Sequence, residues 1–168
     1  MWWRKSWENG SVTNQIKRNY LEIKSLNELV SQKKPLDDLN LIKVEPADFQ
    51  INKFFYKNVG KKHKWVDRLN WKIDNWIDYL NSLGVNTFVL KQKDELVGYF
   101  EQIYYKDKKD CEIAYFGILE EYIGKKLGAY LLSEAIKKSF EIGSKRVWVH
   151  TCSLDHKHAL NNYLSRGM

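Results

Sequence analysis

The sequence predicts an α/β fold built on a mixed, mostly antiparallel sheet. Two β-compatible runs, residues 85–90 and 96–105, are joined by the short polar segment 91–95, which is the pattern of a β-hairpin. A second charged turn leads into a third run at residues 111–119. Short turns join antiparallel strands, because a parallel connection needs a longer crossover. We therefore expect these consecutive strands to be antiparallel.

A helix and a further strand complete this part of the pattern. Residues 124–142 are predicted to form a helix that Gly143 ends, with one apolar side made of Leu127, Leu131, Ala135 and Ile136. A strand at residues 145–151 follows. Because it is reached through a helical crossover, it is predicted to lie parallel to residues 111–119. A last helix is predicted over residues 157–165.

The chain divides at residue 40. Residues 1–40 are predicted to be an N-terminal extension with an added strand at residues 20–23. Residues 41–168 form the predicted domain, which starts with a short strand at residues 41–44. Asp48 caps a first helix that ends near Gly60. A second helix carries apolar residues at helical spacing, namely Trp71, Ile73, Trp76, Ile77 and Leu80.

Composition is that of a soluble globular protein with one domain. The chain has 168 residues, of which 43% are hydrophobic and 29% are charged. No apolar run approaches the roughly 18 residues that a membrane span needs, and the first residues do not have the apolar core of a signal peptide. Both cysteines, Cys111 and Cys152, fall inside predicted strands. This placement indicates a reduced, cytoplasmic compartment.

The net charge of +7 raises the question of a nucleic-acid partner. The lysines, however, occur in scattered pairs that alternate with acidic residues, and most tryptophans and tyrosines fall at core-like spacing. Such a distribution favours a solvated, lysine-rich surface. We therefore expect no specific nucleic-acid partner and no membrane partner.

The junction between the third strand and the following helix predicts a phosphate site. Residues 111–119 run into an acidic turn, and Gly124 and Gly128 then open the apolar helix. A strand-to-helix junction of this kind directs unpaired backbone N–H groups, with the positive helix end behind them, at one point. A phosphorylated ligand is the natural occupant.

The segment Ile123-Gly124-Lys125-Lys126-Leu127-Gly128 resembles the acyl-CoA pyrophosphate loop of the GNAT superfamily of N-acetyltransferases. Ile123 stands where the family usually has a polar residue, and Lys126 stands at its middle glycine. Two further spacings are similar to the family. Glu112 precedes the loop start by eleven residues, and a second motif follows with Ala159, Tyr163 and Gly167 at four-residue intervals.

The resemblance covers residues 41–168 and implies a fold and an activity. The fold would be a mixed, mostly antiparallel sheet with a splayed parallel central pair and helices on both faces. The activity would be direct transfer of an acetyl group from acetyl-CoA, the donor co-substrate, to a primary amine of a small molecule or peptide. An acyl-CoA-binding regulatory domain without catalysis is the alternative. The cofactor-binding residues implied are Phe116, Gly117, Ile118, Ile123, Gly124, Lys125, Lys126, Leu127, Gly128, Ala129 and His156.

Two residues are implied to be catalytic. Glu112 resembles the general base that takes a proton from the amine through water, and Tyr163 resembles the general acid that protonates the leaving thiolate. His150 is a second candidate base. The N–H of Phe116 would polarise the thioester carbonyl. Period-two alternation predicts that Glu112, Ala114, Phe116 and Ile118 share one face of their strand.

The acceptor amine is implied to bind beside residues 61–70, which join the first two helices. Trp65, Asp67 and Arg68 are the candidate binding residues, since an indole can cover a cationic amine and a carboxylate can pair with its charge. A surface loop without a ligand is the alternative. The H-x-C and D-H-x-H spacings around His150 and His156 match no standard zinc pattern, so no metal is expected.

The predicted domain lacks the strand that would follow Gly167 in the family. Three explanations are open: this copy is truncated, residues 15–24 complete the edge of the sheet, or a partner chain completes it in a homodimer.

Overall fold

A computed structural model describes residues 16–168. Its strands are β1 (Arg18–Ile23), β2 (Leu39–Lys43), β3 (Val85–Gln92), β4 (Glu95–Tyr105), β5 (Asp110–Ile118) and β6 (Arg146–Cys152). Its helices are α1 (Phe49–Gly60), α2 (Ile73–Leu80), α3 (Leu127–Glu141) and α4 (Ala159–Leu164), and short 3₁₀ turns lie at Leu26–Glu28, Lys61–His63 and Glu120–Tyr122. Every predicted strand is present, with bounds that shift by a few residues.

The strands form one sheet in the order β1-β6-β5-β4-β3-β2. All neighbours are antiparallel except β5 and β6, which are parallel, as the helical crossover predicted. This parallel pairing joins only residues 110–112 to residues 146–148. Beyond Glu112 and Trp148 the two strands separate, which confirms the splayed central pair.

Strand β1 pairs antiparallel with β6 along its whole length, with Tyr20 opposite His150 and Glu22 opposite Trp148. The strand predicted at residues 20–23 is therefore part of the main sheet, and it lies on the side of β6 that faces away from β5. The division of the chain at residue 40 stays a prediction.

Helices cover both faces of the sheet. On one face, Phe55 of α1 stacks on Tyr99 of β4 with ring centroids 4.7 Å apart. On the other face, the hydroxyl of Ser139 in α3 lies 3.2 Å from Gln102 Oε1 of the same strand. Residues 99 and 102 point to opposite faces because side chains alternate along a strand.

Local sequence explains where the helices begin. The carboxylate of Asp48 accepts a hydrogen bond from the N–H of Gln50 and so caps α1, as predicted. Helix α3 begins at Leu127, later than predicted, because Gly124 and Lys126 have positive φ angles of 89° and 61° that a right-handed helix does not allow. Its predicted apolar side is buried.

Helices α2 and α4 are shorter than predicted. Trp71 precedes the first turn of α2, and within that helix Trp76 and Leu80 face the core while Ile73 and Ile77 are exposed. Helix α4 begins at Ala159 rather than at residue 157.

A β-bulge in β5 overturns the predicted common face. Tyr115 lies opposite Glu101, but the next partner of β4, Gln102, lies opposite Ile113, so Ala114 is an extra residue in β5. One inserted residue moves the side chains of all earlier residues in the strand to the opposite faces of the sheet from those that simple alternation predicts. Glu112 therefore lies on the α1/α2 face with Tyr115, whereas Phe116 and Ile118 lie on the α3 face. The prediction that Glu112, Ala114, Phe116 and Ile118 share one face is wrong.

Candidate active site

A cleft opens where β5 and β6 separate, with a volume of about 1250 Å³. Its walls include the bulged half of β5, the segment before α3, the loop before α2 and the loop before α4. Most residues predicted to bind a cofactor or substrate line it, and so do Glu112 and Tyr163. The separation of the strands thus brings the predicted site residues together.

The segment before α3 presents a row of unpaired backbone donors. The N–H groups of residues 124–129 donate to no acceptor within residues 16–168, and the first N–H at this end that does so belongs to Tyr130. The left-handed conformations of Gly124 and Lys126 turn the chain through this row. The N-terminal end of α3 lies directly behind, so its dipole adds positive potential. Such an arrangement binds phosphate oxygens.

Space beside these donors is open. A Cβ atom added to Gly124 would have no neighbour within 4 Å, and one added to Gly128 would have its nearest neighbour, Ile118 Cγ1, at 3.7 Å. Lys125 and Lys126 are exposed, and the Lys125 ammonium lies 5.1 Å from the centre of the Tyr122 ring. A pyrophosphate therefore fits this segment both sterically and electrostatically.

The half of β5 that lines the cleft has a free edge. From Ile113 to Ile118 the strand has β4 on one side and no pairing with β6 on the other. An extended ligand arm with amide groups can pair with such an edge as a strand does. Packing against α1 explains the glycine at position 117, because a Cβ atom added there would lie 2.2 Å from Val59 Cγ1.

Tyr163 of α4 lies on the cleft wall beside Phe116, with ring centroids 6.2 Å apart. It is only 6% exposed. Burial, together with the charge of Asp155, raises the pKa of its hydroxyl above the ordinary value of 10. The phenol therefore keeps its proton throughout the neutral range.

Glu112 lines the cleft at the point where β5 and β6 separate. Its Oε2 accepts a hydrogen bond of 2.9 Å from the hydroxyl of Tyr105. Its Oε1 lies 3.9 Å from His150 Nε2. Burial and the bond to Glu112 raise the pKa of Tyr105 to about 12, so Tyr105 remains a donor. The carboxylate is thus held between a neutral donor and an imidazole, with lone pairs left for water.

The predicted acceptor residues differ in their surroundings. Trp65 packs against Tyr115 at 5.1 Å between ring centroids, and Asp67 is exposed at the cleft. Arg68 is buried, and its Nη1 lies 2.9 Å from Glu101 Oε2. Because its charge is already paired, Arg68 anchors the loop to β4. Its predicted role as a residue that meets the acceptor stays a prediction.

His156 lies in the loop before α4, near His63 of the loop before α2. Their ring centroids are 6.0 Å apart, and His156 Nδ1 accepts a hydrogen bond from the N–H of His158. Burial lowers the pKa of His156, and the neighbouring side chains of His158, His63 and Lys157 lower it further. It is therefore neutral at pH 7, which suits a contact with an uncharged amide arm.

Sequence reasoning missed Glu101 and Tyr105. Glu101 carries a signal that was visible in the sequence, since it is the charged residue inside an otherwise β-compatible run. Tyr105 carries no such signal, because its contact with Glu112 depends on the pairing of β4 with β5.

Residues 16–168 contain no group of three or more His, Cys, Asp or Glu side chains placed to hold a metal ion. They also contain no helix long and apolar enough to cross a membrane.

Comparisons with known proteins agree with this geometry. The model of the acetyltransferase (GNAT) family matches residues 49–168. No curated protein matches the chain. Among solved structures, an aminoglycoside acetyltransferase from an uncultured soil metagenomic sample has 17% identity and a TM-score of 0.65, with 79% of this chain and 89% of that chain covered.

Two further structures share the fold. An acetyltransferase from Bacillus subtilis, solved in complex with CoA, has 20% identity and a TM-score of 0.58 over 77% of this chain and 75% of that one. The ribosomal-protein-S18-alanine N-acetyltransferase of Escherichia coli has 14% identity and a TM-score of 0.59 over 77% and 76%. At these identities the likeness concerns the fold alone. The family model, which covers most of the chain, shows that this protein belongs to the GNAT acetyltransferase family.

Proposed function

We propose that the protein is an N-acetyltransferase that moves an acetyl group directly from acetyl-CoA to a primary amine of a small molecule or peptide. The observation that carries the proposal is the row of unpaired N–H groups at residues 124–129, in the same cleft as Glu112 and Tyr163. A similar fold has been solved with CoA bound, in the Bacillus subtilis acetyltransferase.

Donor binding is assigned to two walls of the cleft. The N–H groups between Gly124 and Ala129 bind the pyrophosphate oxygens, and Lys125 and Lys126 add positive charge beside them. The free edge of β5 from Phe116 to Ile118 pairs with the pantetheine arm. Acetyl-CoA supplies an activated acetyl thioester and a thiolate leaving group.

Proton transfer is assigned to two side chains that line the cleft. Glu112 accepts the proton of the acceptor ammonium through water, so that the amine nitrogen can form the new C–N bond. Tyr163 keeps its proton at neutral pH and donates it to the sulfur as the C–S bond breaks. The N–H of Phe116 is assigned to the carbonyl oxygen, where negative charge develops.

Acceptor binding is assigned to the loop before α2. Trp65 presents an indole to the cleft, and the exposed carboxylate of Asp67 provides charge for a protonated amine. Arg68 pairs with Glu101 and so positions this loop at the cleft. A cytoplasmic location is part of the proposal, supported by two cysteines that are both free thiols.

The deciding experiment combines turnover with binding. Purified protein is offered acetyl-CoA and a panel of primary amines, and released CoA thiol is detected. We expect release with at least one amine, and calorimetric binding of CoA but not of pantetheine, which lacks the pyrophosphate. CoA binding without release from any amine would favour the regulatory alternative, and no CoA binding would reject both.

A further inference from the structure

The face of β1 and β6 that adjoins Glu112 carries three aromatic side chains. Tyr20, Trp148 and His150 lie together, with ring centroids 6.4 Å apart for Tyr20 and Trp148, 6.0 Å for Tyr20 and His150, and 6.5 Å for Trp148 and His150. We call this group the aromatic patch. Tyr20 is 66% exposed and the His150 side chain is 38% exposed, so the patch is accessible to solvent.

Strand register places the patch directly beside Glu112. Trp148 lies opposite Glu112 of β5 in the parallel pairing and opposite Glu22 of β1 in the antiparallel pairing. Residues opposite one another in neighbouring strands are roughly 5 Å apart and point to the same face. The β-bulge at Ala114 is what turns Glu112 to this face. The patch therefore adjoins the cleft at His150, which lines it together with Glu112, whereas Tyr20 and Trp148 lie just outside the cleft lining.

Among the carboxylates beside the patch, Glu112 is the one without a Lys or Arg partner among residues 16–168. Glu22 pairs with both Lys24 and Arg146, and Arg146 also pairs with Asp110. Glu112 has no Lys or Arg within ion-pair distance among residues 16–168. Its contacts are Tyr105 and His150. Arg18 beside Tyr20 and Arg146 beside Trp148 are cations of this face, and Glu112 is its carboxylate without a Lys or Arg partner, so the ammonium group is assigned to Glu112.

The patch itself suits an uncharged ring better than a cation. The Arg146 guanidinium already lies 5.8 Å from the centre of the Trp148 ring, so a second cation would meet like charge there. Flat rings, in contrast, pack on tryptophan and tyrosine in stacked or edge-on arrangements.

We propose that the aromatic patch binds the ring of an acceptor whose primary amine is joined to an aromatic ring by a short aliphatic spacer. The ring packs on Tyr20 and Trp148 while the ammonium group lies at Glu112. This inference rests on the proposed function and deepens it, because it names the class of acceptor: Asp67 attracts the amine to the cleft, and the bound ammonium group then lies at Glu112. Tyr20 is then a specificity-determining residue that the N-terminal strand contributes.

The test compares two amines and three variants. 2-Phenylethylamine carries the ring, and n-butylamine is a primary amine without one. Tyr20→Leu removes the ring of residue 20, Tyr20→Phe keeps it, and Ile42→Ala is a control at an exposed position of the opposite edge strand. Tyr20→Leu is expected to raise the KM for 2-phenylethylamine about threefold to tenfold. The same variant should leave the KM values for n-butylamine and acetyl-CoA unchanged, and the other two variants should behave as the wild type.

A binding measurement separates this proposal from the proposed function. Calorimetry of 2-phenylethylamine with CoA-saturated protein gives a Kd without turnover, and Tyr20→Leu should weaken it by the same factor. Absence of turnover with every amine would overturn the proposed function. The Kd of 2-phenylethylamine in the wild type and in Tyr20→Leu would still show whether the patch binds the ring. The proposal would be overturned if Tyr20→Leu affected both amines equally or affected neither. It would also be overturned if n-butylamine or an amino sugar bound more tightly than 2-phenylethylamine.

Discussion

Arg68 and Glu101 form an ion pair from which water is excluded. The Nη1 atom of Arg68 lies 2.9 Å from Glu101 Oε2, and their side chains are 5% and 0% exposed. Asn52 and Tyr79 donate hydrogen bonds to the same carboxylate, and the guanidinium carbon lies 4.0 Å from the ring centroid of Tyr79 and 4.0 Å from that of Tyr115. This cluster attaches the loop that borders the cleft to the central strand β4.

Breaking this pair should destabilise the fold. Glu101→Gln leaves the Arg68 charge buried without a counter-charge, and we expect the free energy of unfolding to fall by about 3–5 kcal/mol. Urea denaturation measures it. Glu141→Gln is the matched control, because its pair with Lys138 is exposed and its loss should cost less than about 1 kcal/mol. Similar losses in the two variants would contradict the argument.

The row of donors before α3 predicts a variant that weakens CoA binding and leaves the fold intact. Gly128 has space for a Cβ atom, so Gly128→Glu should fold, but it places a carboxylate where phosphate oxygens are expected. We expect the Kd for CoA to rise at least about tenfold. Calorimetry measures this, and an unchanged melting temperature serves as the control. A Kd equal to that of the wild type would move the phosphate site elsewhere.

Glu112 and Tyr163 both line the cleft, and their assigned roles as base and acid predict separate losses of rate. Glu112→Gln removes the base and Tyr163→Phe removes the acid, and each should lower kcat by roughly 10² to 10⁴ while the KM for acetyl-CoA stays nearly constant. Stopped assays of thiol release measure the rates. Unchanged turnover in Glu112→Gln would transfer the base to His150, which lies 3.9 Å away, and His150→Asn would then show the loss.

Asp67 is exposed at the cleft, and its carboxylate is predicted to attract the acceptor ammonium. Asp67→Asn should raise the acceptor KM by about threefold to tenfold and leave CoA affinity unchanged, because a partly screened ion pair contributes about 1 kcal/mol. Asp78→Asn, at an exposed position of α2 outside the cleft, is the control. Equal losses of acceptor and CoA binding in Asp67→Asn would indicate a structural role.

Buried thiol and phenol groups predict loss of stability in alkali. Burial raises the pKa of Cys111 to about 12 from an ordinary value of 9.0, and burial also raises the pKa of Tyr163. Below about pH 9 both groups are protonated in the folded and in the unfolded chain, so their contribution to stability is fully present. Between about pH 9 and 12 the unfolded chain loses these protons while the folded chain keeps them, so stability falls as pH rises.

Urea denaturation at pH 8 and at pH 10.5 measures this loss of stability. A fall of about 1–2 kcal/mol is expected from Cys111 alone, and the slope should be smaller in Cys111→Ala. Stability that is constant over this range would contradict the burial of these groups.

The elements that sequence alone predicted are those whose signal is local. Asp48 caps α1 through the N–H of Gln50, two residues away, and Gly124 enables a turn that no other residue type adopts easily. The parallel placement of β6 followed from a helix of known direction between two strands. The phosphate site indicated by residues 123–128 stays a prediction, and what the structure shows there is a continuous segment of unpaired backbone donors.

Tertiary structure alone decided the arrangement around Glu112. The extra residue Ala114 reverses the alternation of β5, and no local signal marks it, because a bulge is defined by the partner strand. The contacts of Glu112 with Tyr105 and His150, and the position of Tyr20 beside Trp148, depend on which strands are neighbours. Pairing joins segments that are far apart in the sequence, so it is fixed by the packing of the whole sheet.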